Sequence, residues 1–276
     1  SLYKRPFMKY KKERKFNSLI LIIFLILSSP FYSFSETFYS DELKSQYYKA
    51  EVDKLILSRP NGISKRYEYY SSAFLGRPYK SNTLSGDLKN KEVLILNLKE
   101  MDCFTYLDYV HSLINAENYY DFINQLKEVR YKDGIVSFKN RNHFFYDWAK
   151  NIKNIDDITD EIFLGKSIKV SKNLNLKSDG KLFLNGIDIR KVSIVYLEPK
   201  FINNQNINLL ESGDYVGIYS PIDGLDVSHV GIFIKKAGTY LFRHASSVSG
   251  VNKVVDVNFL EYIKNKPGII IYRNKI

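Results

Sequence analysis

Near its C-terminal end the chain carries two apolar runs, Val227–Ile234 and Thr239–His244, with Ala237-Gly238 between them. A small residue followed by glycine suits a two-residue hairpin turn, which commits this part of the chain to antiparallel pairing. With a turn of that length Lys236 faces Thr239, and counting back along both strands sets Gly231 opposite His244. Strand alternation turns Val230, Ile232 and Ile234 toward a core and His229 to the other face, beside Gly231, where a missing side chain leaves room for an approaching group. His244 is then diagonal to His229 on one face, about 7–8 Å away between backbones and within reach of two long rings. A three-residue loop would send the two imidazoles to opposite faces.

The remaining pattern is mixed. Helical periodicity is expected from about Ser40 to Leu57, with Leu43, Tyr47, Ala50, Val52 and Ile56 loosely in phase. A second helix covers about Ser64 to Phe74 and stops at Gly76-Arg77-Pro78; another spans Tyr119–Val129. Strand candidates are Val93–Leu98, Gly134–Phe138, Ser167–Val170, Lys181–Leu184, Lys191–Leu197, Tyr215–Tyr219 and Ile269–Tyr272, with a helix-like Phe259–Lys264 before the last. Helices early and antiparallel strands late make an α+β fold.

Residues 1–35 hold seven Lys/Arg against one acid, so six of the +11 formal charges sit there. Basic residues Lys9–Lys15 precede an apolar run from Leu19 to Leu27, then Ser28-Ser29-Pro30 and Ser33-Phe34-Ser35. That is the order of a secretory signal peptide, and the run is far short of the ~20 residues that span a bilayer. The expectation is an exported protein of the periplasm or cell envelope, with no stable membrane anchor after cleavage and one catalytic domain over 36–276. The five charges left on that domain are too few to argue for nucleic acid. A single cysteine in 276 residues excludes an internal disulfide and any multi-cysteine metal site, and no two histidines show helical metal-ligand spacing, so neither a metal nor another cofactor is expected.

That cysteine, Cys103, follows Asp102, a good N-cap, and opens a helical pattern running to about Ile114 with Leu107, Val110 and Ile114 on one stripe. Cys103 lies on the same stripe. Unpaired N–H groups and the helix dipole at that position favour a thiolate, the nucleophilic species. His229 is the candidate base and His244 the group that orients its ring. His111 falls off the stripe and is expected at the surface. The run Arg141-Asn142-His143-Phe144-Phe145-Tyr146-Asp147-Trp148 mixes polar donors with aromatic faces, a combination found both in sugar-binding clefts and in aromatic structural turns.

With these residues in place the chain resembles the NlpC-type, papain-like cell-wall hydrolases. The resemblance rests on Asp102-Cys103, Gly213-Asp214, His229-Val230-Gly231-Ile232 and His244 in that order. A narrower likeness, to the N-acetylmuramoyl-L-alanine amidase-like branch, rests on Tyr79-Lys80-Ser81-Asn82-Thr83-Leu84, Met101 to Asp108, Arg141-Asn142-His143-Phe144, Gly224 to His229 and Arg243-His244-Ala245-Ser246-Ser247. It implies a papain-like core enlarged by an insertion at about 117–200, Cys103 as nucleophile, His229 as general base and His244 as orienter. Tyr79 and Asp102 would line the substrate cleft, Ser228 would sit in it, and the insertion bearing Asn142, His143 and Trp148 would supply a sugar subsite. The implied substrates are peptidoglycan fragments, cut at the amide between muramic acid and L-alanine; members of this branch are associated with the 1,6-anhydro sugar. Two departures, Phe104-Thr105 where the wider pattern has Ser-Gly and the long gap between Cys103 and His229, count against the common endopeptidase activity beyond D-glutamate. That activity, and a wall-binding module with a dead site, stand as the alternatives.

Overall fold

The computed structural model describes residues 42–275, with side chains from Gln46 onward. The targeting segment expected over residues 1–35 lies outside them. Among the described residues no helix is long and apolar enough to cross a membrane.

Four helices open the described chain: α1 (Glu42–Leu57), α2 (Ile63–Ser72), α3 (Cys103–Asn115) and α4 (Tyr119–Arg130). The buried stripe of α1 is Tyr48, Val52 and Ile56: Val52 and Ile56 are as expected, while Tyr47 and Ala50 face water and Tyr48 takes the inward position instead. In α3 every residue from Thr105 to Ile114 is buried. A helix without a polar face is central, and α3 contacts α2, α4 and the sheet. Its burial extends to His111, which is 3% exposed with Nδ1 2.7 Å from the Tyr215 hydroxyl, so the expectation of a surface histidine fails.

The rest is α5 (Phe145–Asn151), β1 (Ile155–Asp157), α6 (Thr159–Ile162), β2 (Ser167–Leu174), β3 (Arg190–Leu197), β4 (Tyr215–Tyr219), β5 (Val227–Lys236), β6 (Thr239–Ala245), β7 (Val254–Asn258), α7 (Phe259–Ile263) and β8 (Ile269–Asn274). The strands form one antiparallel sheet in the order β2-β3-β8-β4-β5-β6-β7, with β1 also on β8. The α+β class and the antiparallel sheet are thus as expected. The middle segment, 117–200, gives three strands to that same sheet.

Both faces of the sheet are covered. Val230, Ile232 and Ile234 of β5 join the helices in one core, while Phe233, Phe242, Val216 and Ile271 meet Phe259 and Ile263 of α7 in a second. The first core is the one expected for β5. The second fills the space foreseen beside Gly231: a Cβ there would lie 2.5 Å from the Phe242 ring, so the glycine admits that ring and leaves no room for a ligand.

Three expected strands are absent. Residues 93–98 pair with no strand; Ile95 O accepts Arg130 Nη1 at 2.6 Å and Asn97 N–H donates to Tyr109 Oη at 3.1 Å, so side chains satisfy the backbone that a neighbouring strand would otherwise take. Residues 134–138 lie between two short 3₁₀ turns, Lys132–Gly134 and Phe138–Asn140, and 181–184 contribute only one bridge, Leu176 to Leu182.

Candidate active site

Asp102 has extended backbone and caps α3 through a reciprocal pair: its Oδ1 accepts the Thr105 N–H at 2.8 Å, and its own N–H donates to Thr105 Oγ1 at 2.9 Å. Thr105, one of the two residues departing from the wider family pattern, completes this capping box. The cap fixes Cys103 as the first residue of α3. The backbone N–H groups of Cys103, Phe104 and, across the fold, Val230 of β5 bear on its sulfur. Those three donors lower the thiol pKa, as a helix start should. Burial, reinforced by the Asp102 carboxylate, outweighs them and pushes it up to about 12. The resting sulfur is a neutral thiol, contrary to the thiolate expected from helix position alone.

The hairpin between β5 and β6 has the foreseen register, with Ile232 opposite Arg243 and Lys236 opposite Thr239 around left-handed Ala237 and Gly238. His229 Nε2 lies 2.7 Å from His244 Nδ1, the two rings nearly perpendicular. Burial is the first cause holding both imidazoles well below the ordinary histidine range; for His229 the neighbouring His244 adds to it. One further device aims His229. Tyr219 faces Val227 and Ile218 faces His229, so Ser228 is an extra residue in β5, a bulge at the end of the strand. Ser228 is exposed, its Oγ donating to Ile218 O at 3.4 Å. No residue type at 226–229 announces a bulge in the sequence.

Tyr79 is strapped beside the cysteine. Its N–H donates to Asn252 O at 2.9 Å, while its neighbours exchange bonds with Met101, Lys80 N to Met101 O and Met101 N to Pro78 O. Burial raises its phenol, and the neighbouring Cys103 and Asp102 raise it further. Sequence reading passed over Tyr262 of α7. Its ring stacks obliquely on Phe242 and lies 5.1 Å from His244, and burial, with Cys103 nearby, raises its hydroxyl to about 12. Only its place in a short helix after the histidine strands, with no motif of its own, could have singled it out.

The middle segment builds two cavities that share Arg141, Asn142 and His143 in their walls, one of about 330 Å³ and one of about 140 Å³. The smaller is also lined by Phe104 and Asp108, so it reaches the start of α3. His143 Nε2 meets Phe138 O at 2.7 Å and Asn142 Nδ2 donates to Val129 O at 2.9 Å, so both side chains are fixed in place. Trp148, expected with them, is not in either wall. It is 0% exposed, packed on Tyr215 and Phe145, with its indole N–H on Asp108 Oδ1 at 3.0 Å. A ring with both faces in the core offers a sugar nothing, and Trp148 drops out of the candidate subsite.

Residues 69–269 match the family model described as AmiA-like, N-acetylmuramoyl-L-alanine amidase-like. Among solved structures, a Legionella pneumophila protein is 22% identical over 83% of this chain and 94% of its own, with a TM-score of 0.68. An N-acetylmuramoyl-L-alanine amidase from Bacteroides uniformis is 24% identical over 78% of this chain and 99% of its own, at a TM-score of 0.63. A protein from Bacteroides fragilis, described as a putative xylanase, is 25% identical over 74% of this chain and 98% of its own, at 0.60. No curated protein sequence matches.

Proposed function

We propose, for a chain that belongs to the N-acetylmuramoyl-L-alanine amidase-like family of peptidoglycan hydrolases, a cysteine amidase with a papain-like core that cuts the amide between N-acetylmuramic acid, including its 1,6-anhydro form, and L-alanine. Cys103 is the nucleophile, His229 the general base and His244 the residue that orients it. The observation that carries this reading is the histidine pair at 2.7 Å, supported by the influence on the Cys103 thiol of the N–H of Val230, the residue after His229 on β5.

The neutral resting state sets the course of the reaction. Nε2 of His229 is engaged with His244, so Nδ1 is the nitrogen left to take a proton. The thiol attacks the lactyl carbonyl carbon as its proton passes to His229 Nδ1, and the carbonyl oxygen takes up negative charge opposite N–H groups at the start of α3. Collapse breaks the C–N bond, and the proton on His229 goes to the departing alanine nitrogen. Water, deprotonated by the same imidazole, then releases the muramic acid carboxylate from the thioester and restores the thiol. The two cavities with Asn142 and His143 in their walls, the smaller beside Phe104, receive the sugar end, and Tyr79 and Asp102 line the cleft at the sulfur. We place this chemistry in the cell envelope, after export.

Digestion of purified muropeptides followed by mass spectrometry tests the reading. The products expected are free muramic acid sugar and intact stem peptide, and Cys103→Ala abolishes them without altering the circular dichroism spectrum. Undiminished turnover by that variant removes the mechanism. Cleavage within the stem peptide assigns the endopeptidase instead, and no cleavage by the parent protein assigns a binding module.

A further inference from the structure

Behind the two imidazoles stands a short stack. The His244 ring is 4.8 Å from Phe242 and 5.1 Å from Tyr262, and the Lys266 ammonium sits over the Tyr262 ring at 4.7 Å from its centroid. Lys266 is half-buried, in the turn that ends α7, its N–H on Ile263 O at 2.8 Å. Among the described residues no carboxylate pairs with it, unlike Lys264 two positions earlier, which pairs with Glu261. His244 itself is 2% exposed, and its Nε2 has no hydrogen-bond partner among the described residues. In a triad whose third member is a carboxylate, that member's negative charge welcomes a proton on the base. Here the third member is neutral, and the nearest formal charge behind it is positive.

We infer that Lys266 is a positioning residue of the site: its ammonium, held against the outer face of Tyr262, opposes a positive charge on either His229 or His244. This rests on the proposed reaction only in giving that opposition a purpose, which is to keep a free base ready to take the thiol proton. The groups facing the pair are few. Tyr262 and Lys266 come from α7 and its turn, and Phe242 comes from β6. Cys103 and Tyr79, on the substrate side, are uncharged at neutral pH, and Asp102 acts on those two rather than on the imidazoles. Lys266 is the charged group acting on both histidines, in the direction that disfavours their protonation.

The test is a titration of the four histidine ring resonances by NMR in the full chain, with the pH profile of kcat/KM on muropeptides measured in parallel. A charge roughly two ring widths away at an intermediate effective dielectric moves a midpoint by roughly half to one pH unit. Lys266→Met should raise the midpoints of His229 and His244, and the acid limb of kcat/KM, by that amount. Lys266→Arg should leave them in place, and His143 should not move in either variant. Lys266→Glu should lift them further, into a pH range where the fold is intact. Added salt should narrow the gap between Lys266→Met and the parent protein, because it screens the lysine. Midpoints unchanged in Lys266→Met and Lys266→Glu overturn the inference, even in a fully active enzyme. A parent protein without hydrolytic activity refutes the proposed reaction and leaves the resonance shifts to decide the role of Lys266.

Discussion

His111 offers a stability test that needs no substrate. In the folded chain it is 3% exposed, set between Tyr215 and Trp148, and burial lowers its pKa from 6.5 to about 3. The unfolded chain regains the ordinary value, so below it the unfolded state binds a proton that the native state refuses. The resulting stability is complete above about pH 6.5 and is lost as pH falls from there toward about 3. Between about pH 7.5 and about pH 5 the unfolded histidine gains its proton over roughly 1.5 pH units, and at ~1.4 kcal/mol per unit the loss is ~2 kcal/mol. With so little of the side chain in water, solvent screening does not reduce this.

Other groups titrate over the same interval, including Asp226, whose buried carboxyl is raised to about 6 and works in the opposite sense. The quantity to measure is therefore the difference between the parent protein and His111→Asn, whose amide can still reach the Tyr215 hydroxyl. Urea denaturation followed by fluorescence suits this, since Trp148 is the one tryptophan and lies 5.7 Å from the His111 ring. The variant should be less stable by a fixed packing cost at about pH 7.5, and that deficit should shrink by ~2 kcal/mol at about pH 5. A deficit of equal size at both pH values refutes the reasoning.

Two further outcomes follow from the site's scaffold. Asp102→Ala removes the carboxylate half of the capping box, leaving the backbone N–H of residue 102 on Thr105 Oγ1, and should cost about 1 kcal/mol in urea denaturation, with Asp102→Ser recovering most of it. A loss below the noise of the measurement would mean the cap does not hold the start of α3. At the β5–β6 turn Ala237 occupies a left-handed conformation, φ 47°, which asparagine tolerates better. Ala237→Asn should therefore raise stability by about 0.5–1 kcal/mol, whereas one glycine inserted after Gly238 should separate the imidazoles and end turnover. Full activity in the insertion variant would show that the pairing does not depend on this register.

What could be read from sequence here was what local chemistry decides. The β5–β6 register followed from turn length, and the bounds of β4 from its apolar run, because neither needs knowledge of distant neighbours. The start of α3 was legible because a cap residue and an apolar stripe coincide at Asp102-Cys103. The errors have the opposite origin. Residues 93–98 have the apolar run of a strand, with Leu94, Leu96 and Leu98 packed on the core, but a strand needs a partner, and Arg130 and Tyr109 took that place. β1, Ile-Asp-Asp, has no strand signal and exists only because β8 offers it an edge. Trp148 stands in an aromatic run that fits a sugar cleft and a structural turn equally well, and only the position of Tyr215 and Asp108 around it shows that it is core. The thiol pKa failed for the same reason: helix position is local, while burial is set by the whole fold.

The order of strands has a consequence for how the molecule comes into being. β8, the last strand among the described residues, is wedged between β3 and β4 in the interior of the sheet. A polypeptide emerging from the ribosome or a translocation pore with its N-terminus leading cannot close its sheet until that segment arrives. Until then β3 and β4 have a gap between them, and every earlier strand waits on a keystone. Stop codons that shave even a few residues from β8 should therefore yield protease-sensitive chains, not slightly shortened enzymes.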